Sequence, residues 1–206
     1  MNRAFQEIMG IPNAMEGIRP HGKTDPAIVR EIFTGRGVPG HSDDTTKRIL
    51  DAYVEFLPEE VRISTTYRIL PGIINFLETF KEHPGLGCGL ATGNVERGAR
   101  IKLERGALNS YFRFGGFGSD AENRSDLVRR AAENGRRVYS RDIAPGDTFV
   151  IGDTPLDVNA GKAAGFRTVG VATSDYSKEQ LEAAGADLVM ADFERDGERF
   201  LKLTGI

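Results

Sequence analysis

The chain has 206 residues, of which 39% are hydrophobic and 28% charged, and it carries a net charge of −3 at pH 7. A chain of this length can form one α/β domain with a small insert, or one large domain. The composition is ordinary for a globular protein and gives no basic surface for nucleic acid. No apolar run approaches the length of a membrane span, and the first residues do not resemble a signal peptide. Because Cys88 is the single cysteine, a reducing compartment is the simplest setting, and we expect a cytoplasmic protein.

The first third of the sequence predicts helices without strands. Apolar residues recur at helical spacing in residues 4–9. Asp25 followed by proline predicts an N-cap with proline at the first helical position. Asp43 or Asp44 can cap a third helix, which we expect to break at Leu57-Pro58 because proline cannot donate the next helical hydrogen bond.

After residue 70 the pattern changes to alternating strands and helices. The predicted helices cover residues 73–82, 95–105, 124–134, 156–164 and 178–184, followed by a closing helix. The predicted strands cover residues 86–91, 112–116, 148–151, 168–171 and 187–190. This alternation predicts a Rossmann-like α/β core, a parallel sheet with helices on both faces. We expect the core to cover residues 69–206 and a helical module to cover residues 1–68.

Two aspartates follow the most apolar of these strands. The strand ends in Gly152-Asp153, and Asp157 opens the next helix. Ligands of open α/β sheets bind beyond the carboxyl ends of the strands. Two carboxylates four residues apart at such a place suit a hard cation such as Mg²⁺. The alternative is that both aspartates are turn and N-cap residues.

A second polar segment, Thr92-Gly93-Asn94, follows an earlier predicted strand. A hydroxyl and backbone N–H groups at a strand-to-helix junction can bind phosphate. This arrangement predicts that Thr92, Gly93 and Asn94 bind a phosphoryl group. In the alternative, Thr92 caps the next helix and Gly93 only forms the turn.

Together, in this order, these motifs resemble the haloacid dehalogenase superfamily of hydrolases, most closely its phosphoglycolate-phosphatase-like members. The resemblance covers nearly the whole chain. It implies that Thr92 binds a phosphoryl oxygen, that Asp153 ligates Mg²⁺, and that Asp157 supports the metal or a nearby cation. It also implies that residues 1–68 form a small helical cap. A polar loop of this cap can bring Lys23 to a substrate carboxylate or phosphate, although an ordinary solvated lysine is an equal alternative.

The chain departs from the family at the position where a lysine usually balances the phosphoryl charge. Arg124, at the start of a predicted helix, is the best match. Arginine stays charged and can bind phosphate through two donors, so it can fill the electrostatic role. The alternative is a surface arginine on the first helical turn. Lys102 is a weaker candidate, because its position inside a helix indicates a solvated face.

The second departure concerns the nucleophile. The family's central first strand ends in Asp-x-Asp-x-Thr, whose first aspartate attacks phosphorus and whose second is the general acid and base. This motif does not occur in the 206 residues, and Asp43-Asp44-Thr45 has the wrong spacing. We therefore expect that the central first strand is missing and that the chain is truncated at its N-terminus. We also expect that it folds poorly, or closes its sheet around a defect, and that it is inactive by itself.

The sequence thus predicts a Mg²⁺-dependent phosphatase of a small phosphorylated metabolite, working through an aspartyl-phosphate, with no nucleic-acid or membrane partner. The alternative is a non-catalytic protein that uses the same residues to bind phosphate or a partner. A receiver-like or nucleotide-binding domain is a weaker hypothesis. It lacks support because no acceptor aspartate ends a strand and no Gly-x-Gly-x-x-Gly follows a first strand.

Overall fold

The computed structural model describes residues 1–38, 42–83 and 85–204, and these residues form two compact units. The first, here called the helical unit, comprises Met1–Tyr67, Thr92–Asn109 and Phe117–Glu122. The second, here called the sheet unit, comprises Arg68–Ala91, Ser110–Gly116 and the described residues from Asn123 onward. The division into domains at residue 68 stays a prediction.

Helices and strands alternate after the first three helices. The helices are α1 (Asn2–Met9), α2 (Asp25–Gly35), α3 (Asp43–Ile63), α4 (Ile73–Glu82), α5 (Glu96–Glu104), α6 (Arg124–Tyr139), α7 (Pro155–Ala164), α8 (Lys178–Ala183) and α9 (Phe193–Thr204). The strands are β1 (Leu90–Thr92), β2 (Gly115–Phe117), β3 (Phe149–Gly152), β4 (Arg167–Val171) and β5 (Leu188–Met190). Within the described ranges, no helix combines the length and the apolar character that a membrane span needs.

The helical unit is held together by one apolar core. Helices α1, α2, α3 and α5 contribute to it, and its fully buried side chains include Phe5, Phe33 and Ile49. The rings of Phe5 and Phe33 meet edge to face, with their centroids 5.4 Å apart. Burial of such large apolar side chains stabilises the unit by about 1.5–3 kcal/mol each.

The helix caps differ from two of the predictions. The N-cap of α2 is Thr24, whose hydroxyl accepts a hydrogen bond from Ala27, so Asp25 is the first helical residue instead of the cap. The N-cap of α3 is Ser42, and the predicted caps Asp43 and Asp44 lie in the first turn. In each helix, the hydroxyl of the extended residue just before the first turn accepts from a free backbone N–H group. The aspartates that follow lie in the first turn, where the helix dipole stabilises their negative charge.

The predicted break at Leu57-Pro58 is wrong, because α3 continues through Pro58 to Ile63. A proline inside a helix costs about 3 kcal/mol. Tyr53, Val54 and Leu57 on the preceding turns are buried in the core of the helical unit, and their burial offsets this cost. Tertiary packing therefore overrides the local signal.

The sheet unit contains a three-stranded parallel sheet in the order β3-β4-β5. On one face, rings of α4 and α9 pack against the sheet, and the cluster includes Phe76, Phe149, Phe193 and Phe200. On the other face, α6 and α7 pack around Val150. Helices on both faces of a parallel sheet confirm the predicted α/β fold class.

Strands β1 and β2 form a second, two-stranded sheet and are shorter than predicted. The predicted strand over residues 86–91 is reduced to Leu90–Thr92. The reason is that Gly87 and Gly89 face aromatic rings: a Cβ on them would lie 2.5 Å from the Tyr139 ring and 2.2 Å from the Phe114 ring. These two glycines pack against rings, and glycine also weakens a strand because it has no side chain to pack.

Candidate functional site

The segment Thr92–Asn94, here called the Thr92 turn, links β1 to α5 in the helical unit. The Thr92 hydroxyl accepts a hydrogen bond from the backbone N–H of Asn94 at 3.2 Å. The N-cap of α5 is Val95, so the alternative in which Thr92 caps this helix is wrong. Thr92 instead closes a short turn in front of the helix.

Gly93 lies against the loop that precedes α2. A Cβ on Gly93 would lie 2.2 Å from the backbone carbonyl oxygen of Lys23, far inside van der Waals contact. The backbone N–H of Asp25 donates to the carbonyl of Gly93 at 2.7 Å. The turn and this loop therefore touch through their backbones, and only glycine fits at the contact.

Asn94 joins two charged side chains of the helical unit. Its side-chain N–H donates to Asp25 Oδ1 at 3.2 Å, and its Oδ1 accepts from Lys102 Nζ at 3.0 Å. The predicted solvated face for Lys102 is wrong, because the ammonium group points inward and lies 6.0 Å from the centre of the Tyr53 ring. Burial lowers the pKa of Lys102, and the negative charge of Asp25 opposes this shift.

Asp25 is the residue of this cluster that sequence reasoning missed. It is 4% exposed, and its Oδ2 accepts a hydrogen bond from the backbone N–H of Val95 at 2.8 Å. Burial raises the pKa of Asp25, against the opposing effects of the Val95 hydrogen bond and the charge of Lys102. The preceding Thr24 was the signal that could have revealed it, since a helix with one hydroxyl cap does not need a second.

Lys23, the predicted substrate-binding residue of the cap loop, forms an ion pair inside the helical unit. Its Nζ donates to Glu31 Oε2 at 2.5 Å, and the lysine side chain is 35% exposed. The ammonium group is thus partly neutralised by a carboxylate on α2. Its contact with a substrate stays a prediction.

In the sheet unit, Asp153 directly follows β3. The hydroxyl of Ser174 donates to the backbone carbonyl of Asp153 at 2.7 Å and fixes the chain at this point. Asp153 is half-buried. It lies at the carboxyl end of a parallel strand, where the sequence placed it.

Asp157 uses both of its carboxylate oxygens. Its Oδ2 accepts from the N–H of Thr154 at 3.1 Å and from the Thr154 hydroxyl at 2.8 Å, in a capping box at the start of α7. Its Oδ1 accepts from Arg124 Nε at 2.7 Å, and Arg124 Nη2 forms a second contact with the same oxygen. A Cβ on Gly152 would lie 2.3 Å from Asp157, so glycine at the end of β3 makes room for this carboxylate.

Arg124 is the first residue of α6 and its side chain is 21% exposed. It is therefore a largely buried, paired arginine, and the alternative of a solvated surface arginine does not hold. The pair agrees with the expectation that Asp157 supports a nearby cation, and here the cation is Arg124. The helix-capping alternative also holds for Asp157, which occupies the third helical position of the capping box. The catalytic roles of both residues stay predictions.

The carboxylates that follow β3 could supply only part of the ligands of a metal ion. Among the described residues, no group of three histidine, cysteine or acidic side chains could surround a metal ion. Asp157 accepts hydrogen bonds from Arg124 and Thr154, and Asp153 is the carboxylate that directly follows β3. Mg²⁺ at phosphate sites commonly takes one or two protein carboxylates and completes its shell with water and phosphate oxygens. Asp153 fits this pattern as one ligand of an incomplete set.

The part of the chain that contains Arg124, Asp153 and Asp157 is similar to known proteins. A family model described as HAD-hydrolase-like matches residues 124–195, which include Arg124, Asp153 and Asp157. The protein named "Probable phosphatase IndB" from Dickeya dadantii is 27% identical over 157 residues. Over residues 124–195, the chain is similar to haloacid dehalogenase-like hydrolases. The matched stretch covers 73% of this chain and 64% of the Dickeya protein, which is less than two thirds of its length.

Solved structures show that the fold is shared over nearly the whole chain. A hydrolase from Pseudomonas syringae has a TM-score of 0.69 at 22% identity, covering 98% of this chain and 89% of its own. A beta-phosphoglucomutase from Clostridium difficile has a TM-score of 0.67 at 18% identity, covering 98% of this chain and 87% of its own. At these identities the likeness concerns the fold.

The predicted site residues fall into two groups. In the helical unit, Gly93 and Asn94 of the Thr92 turn contact the loop that carries Lys23. In the sheet unit, Arg124 is paired with Asp157, which lies four residues after Asp153. Each group is ordered by hydrogen bonds that the sequence did not reveal.

Proposed function

We propose that the chain provides phosphate- and metal-binding groups of a Mg²⁺-dependent phosphatase that acts on a small phosphorylated metabolite in the cytoplasm. The observation that carries the proposal is the largely buried ion pair between Arg124 and Asp157, where Asp157 lies four residues after Asp153, the residue that directly follows β3. A fixed guanidinium is suited to bind the oxygens of a phosphoryl group through two donors. The relation to haloacid dehalogenase-like hydrolases and to a named phosphatase supports the same activity.

Each residue has a definite part in this proposal. Asp153 would hold Mg²⁺, which, when bound, neutralises negative charge on phosphoryl oxygens. Arg124 donates to the phosphoryl oxygens, and Asp157 keeps its guanidinium in one orientation. In the helical unit, we separately propose that the Thr92 hydroxyl and the Gly93 N–H donate to phosphate. Asn94, whose N–H donates to the Thr92 hydroxyl, keeps the turn in shape.

In the helical unit, Lys23 is proposed to contact a substrate carboxylate or phosphate. Its ammonium group has three donors and gives one to Glu31, so two remain for a carboxylate or a second phosphate. Replacing the Lys23–Glu31 ion pair by an ion pair between Lys23 and a substrate anion costs little free energy, because both are ion pairs of a partly exposed ammonium group.

A covalent aspartyl-phosphate requires a nucleophile from outside these 206 residues, because Asp-x-Asp-x-Thr does not occur in them. We therefore propose that this chain binds phosphate with Mg²⁺ and does not turn over by itself. Loss of a covalent nucleophile costs about 10⁴–10⁶ in rate. With p-nitrophenyl phosphate, we expect hydrolysis by the chain to equal that of its Asp153→Ala variant. A Mg²⁺-dependent rate that Asp153→Ala abolishes would show that the chain is active alone.

Binding of inorganic phosphate, measured by calorimetry in MgCl₂ and in EDTA, tests the proposal directly. We expect binding in MgCl₂ that weakens strongly in EDTA, and an Asp153→Asn variant that binds equally in both. Asp126→Asn is the matched control, because Asp126 is an exposed carboxylate of the same unit, paired with Arg129. Phosphate binding that is indifferent to Mg²⁺, or equally changed in both variants, would remove the metal from the proposal.

A non-catalytic phosphate- or partner-binding protein is the second candidate, and the missing nucleophile motif is the observation that favours it. The coding DNA before Met1 separates the two. An in-frame apolar segment ending in Asp-x-Asp-x-Thr supports the phosphatase. A stop codon directly upstream supports a binding protein.

A further inference from the structure

Asp25 contacts three successive residues at the end of the Thr92 turn. Its backbone N–H donates to the carbonyl of Gly93 at 2.7 Å. Its Oδ1 accepts from the side chain of Asn94 at 3.2 Å, and its Oδ2 accepts from the N–H of Val95 at 2.8 Å. One residue of α2 thus binds the turn through its backbone and through both carboxylate oxygens, although about 70 residues separate the two segments.

The helix that contains Asp25 does not need this carboxylate. The Thr24 hydroxyl already caps α2, and its side chain accepts from Ala27 at 3.3 Å. By contrast, Val95 at the N-cap of α5 makes no side-chain capping bond of its own. The Asp25 carboxylate lies at this helix end, where a negative charge is favoured by the helix dipole.

The buried carboxylate is also balanced by a positive charge. Lys102 donates to Asn94 Oδ1, so the N–H₂ end of the Asn94 amide is directed toward Asp25. An isolated charge at 4% exposure is costly, and hydrogen bonds from Asn94 and Val95 together with Lys102 compensate it. The network fixes both the backbone and the side-chain amide of the turn.

We infer that Asp25 is a positioning residue that holds the Thr92 turn in its phosphate-binding shape before any ligand arrives. The inference rests on the proposed phosphate-binding function of that turn. Binding groups held in place before binding lose less freedom when the ligand binds, so they bind more tightly. Asp25 itself touches no ligand and acts through Gly93, Asn94 and Val95.

The test compares binding of inorganic phosphate, in MgCl₂, by the full chain and by variants. Asp25→Asn keeps the size of the side chain but leaves one acceptor oxygen for two donors, and it removes the charge opposite Lys102. We expect phosphate binding to weaken about tenfold, the effect of losing one charge-assisted hydrogen bond. Asp51→Asn is the control for the substitution itself, because Asp51 is an exposed carboxylate of the same unit, paired with Lys47. It should bind like the wild type.

A second control separates positioning from stability. Ile49→Val lowers the stability of the helical unit through its fully buried core, and Ile49 makes none of the hydrogen bonds of the Asp25 network. We expect this variant to lose melting temperature but to keep wild-type phosphate affinity. If Asp25→Asn binds phosphate like the wild type, or if Ile49→Val weakens binding as much, the positioning role is overturned while the proposed function stands. If the wild type binds no phosphate, the proposed function itself fails, and the inference fails with it.

Amide hydrogen exchange of the wild type provides a measurement that needs no variant to fold. The Val95 amide, bonded to Asp25, should exchange slowly without phosphate, and its protection should change little when phosphate is added. Fast exchange that becomes slow only with phosphate would mean that the ligand, instead of Asp25, orders the turn, and the inference would be overturned.

Discussion

Replacement of Asp157 by alanine gives the most direct test of the Arg124–Asp157 pair. Asp157 is 7% exposed and accepts hydrogen bonds from Arg124 and from both the N–H and the hydroxyl of Thr154. Its removal leaves the guanidinium without this partner and breaks the capping box of α7. Both losses act in the sheet unit.

The size of the effect follows from these contacts. Removal of one partner of a buried ion pair costs about 3–5 kcal/mol. Arg124 remains 21% exposed, so water can reach it and the lower end of this range applies. The capping box adds about 1 kcal/mol, part of which is already counted in the same carboxylate. We expect a loss of about 3 kcal/mol, a large share of a domain's stability of roughly 5–15 kcal/mol.

Urea unfolding followed by circular dichroism measures this loss for Asp157→Ala. The exposed pair of Asp126 and Arg129 supplies the control, since Asp126→Ala should cost less than about 0.5 kcal/mol. Arg124→Met should cost little more when Asp157 is already alanine, because the two side chains act as a pair. A loss below about 1 kcal/mol for Asp157→Ala, with no coupling to Arg124, would refute the view that the pair is structurally important.

Three further predictions concern single residues. Gly93→Ala should lower the free energy of unfolding in urea by at least about 2 kcal/mol, because its Cβ would overlap a backbone carbonyl. Gly35→Ala, with open space around the new Cβ, should not, and equal unfolding midpoints for the two variants would contradict the close contact at Gly93. Hydrogen bonds from the N–H and hydroxyl of Thr168 lower the pKa of Asp187, so the ionised carboxylate stabilises the fold above about pH 4 and this stabilisation is lost as pH falls through the lowered pKa. The free energy of unfolding of Asp187→Asn should therefore fall less steeply below about pH 4 than that of the wild type, and an equal fall in both would disprove this. Burial raises the pKa of Cys88 to about 11, so Ellman's reagent at pH 8 should react about a hundredfold more slowly in the native chain than in urea, and similar rates would show an accessible thiol.

The sequence was a good guide to the sheet unit because its signals are local. The apolar runs predicted at 148–151, 168–171 and 187–190 match β3, β4 and β5 to within about two residues. Helix α4 has the predicted ends, Ile73 and Glu82. Buried parallel strands are continuous apolar runs, so burial and strand formation point to the same residues.

Features that depend on distant residues were not predictable in the same way. Whether α3 breaks at Pro58 depends on how well the preceding turns pack against other helices. Whether a strand forms at Gly87 depends on a ring of Tyr139, about 50 residues later. At both Pro58 and Gly87, the local sequence indicates what the residue costs a helix or a strand, but it does not indicate the distant packing contacts.

The candidate site shows the same division. Asp153 at the end of β3 follows from the strand and the glycine before it. The network of Asp25, Asn94 and Lys102 has no local pattern, because α2 and α5 are far apart in sequence. Lys102 in particular looked solvated, since the position of a residue within a helix does not reveal which face another element covers.

The aromatic cluster of the sheet unit sets a limit on how this chain can fold during its synthesis. Phe76 of α4 packs against Phe193 and Phe200 of α9, which the ribosome adds roughly 120 residues later, about 6–24 s at ordinary elongation rates. Throughout that interval, α4 exposes its rings without their final partners. The last segment of the helical unit, Phe117–Glu122, is made well before α9, so α4 waits for its partners longer than the helical unit does.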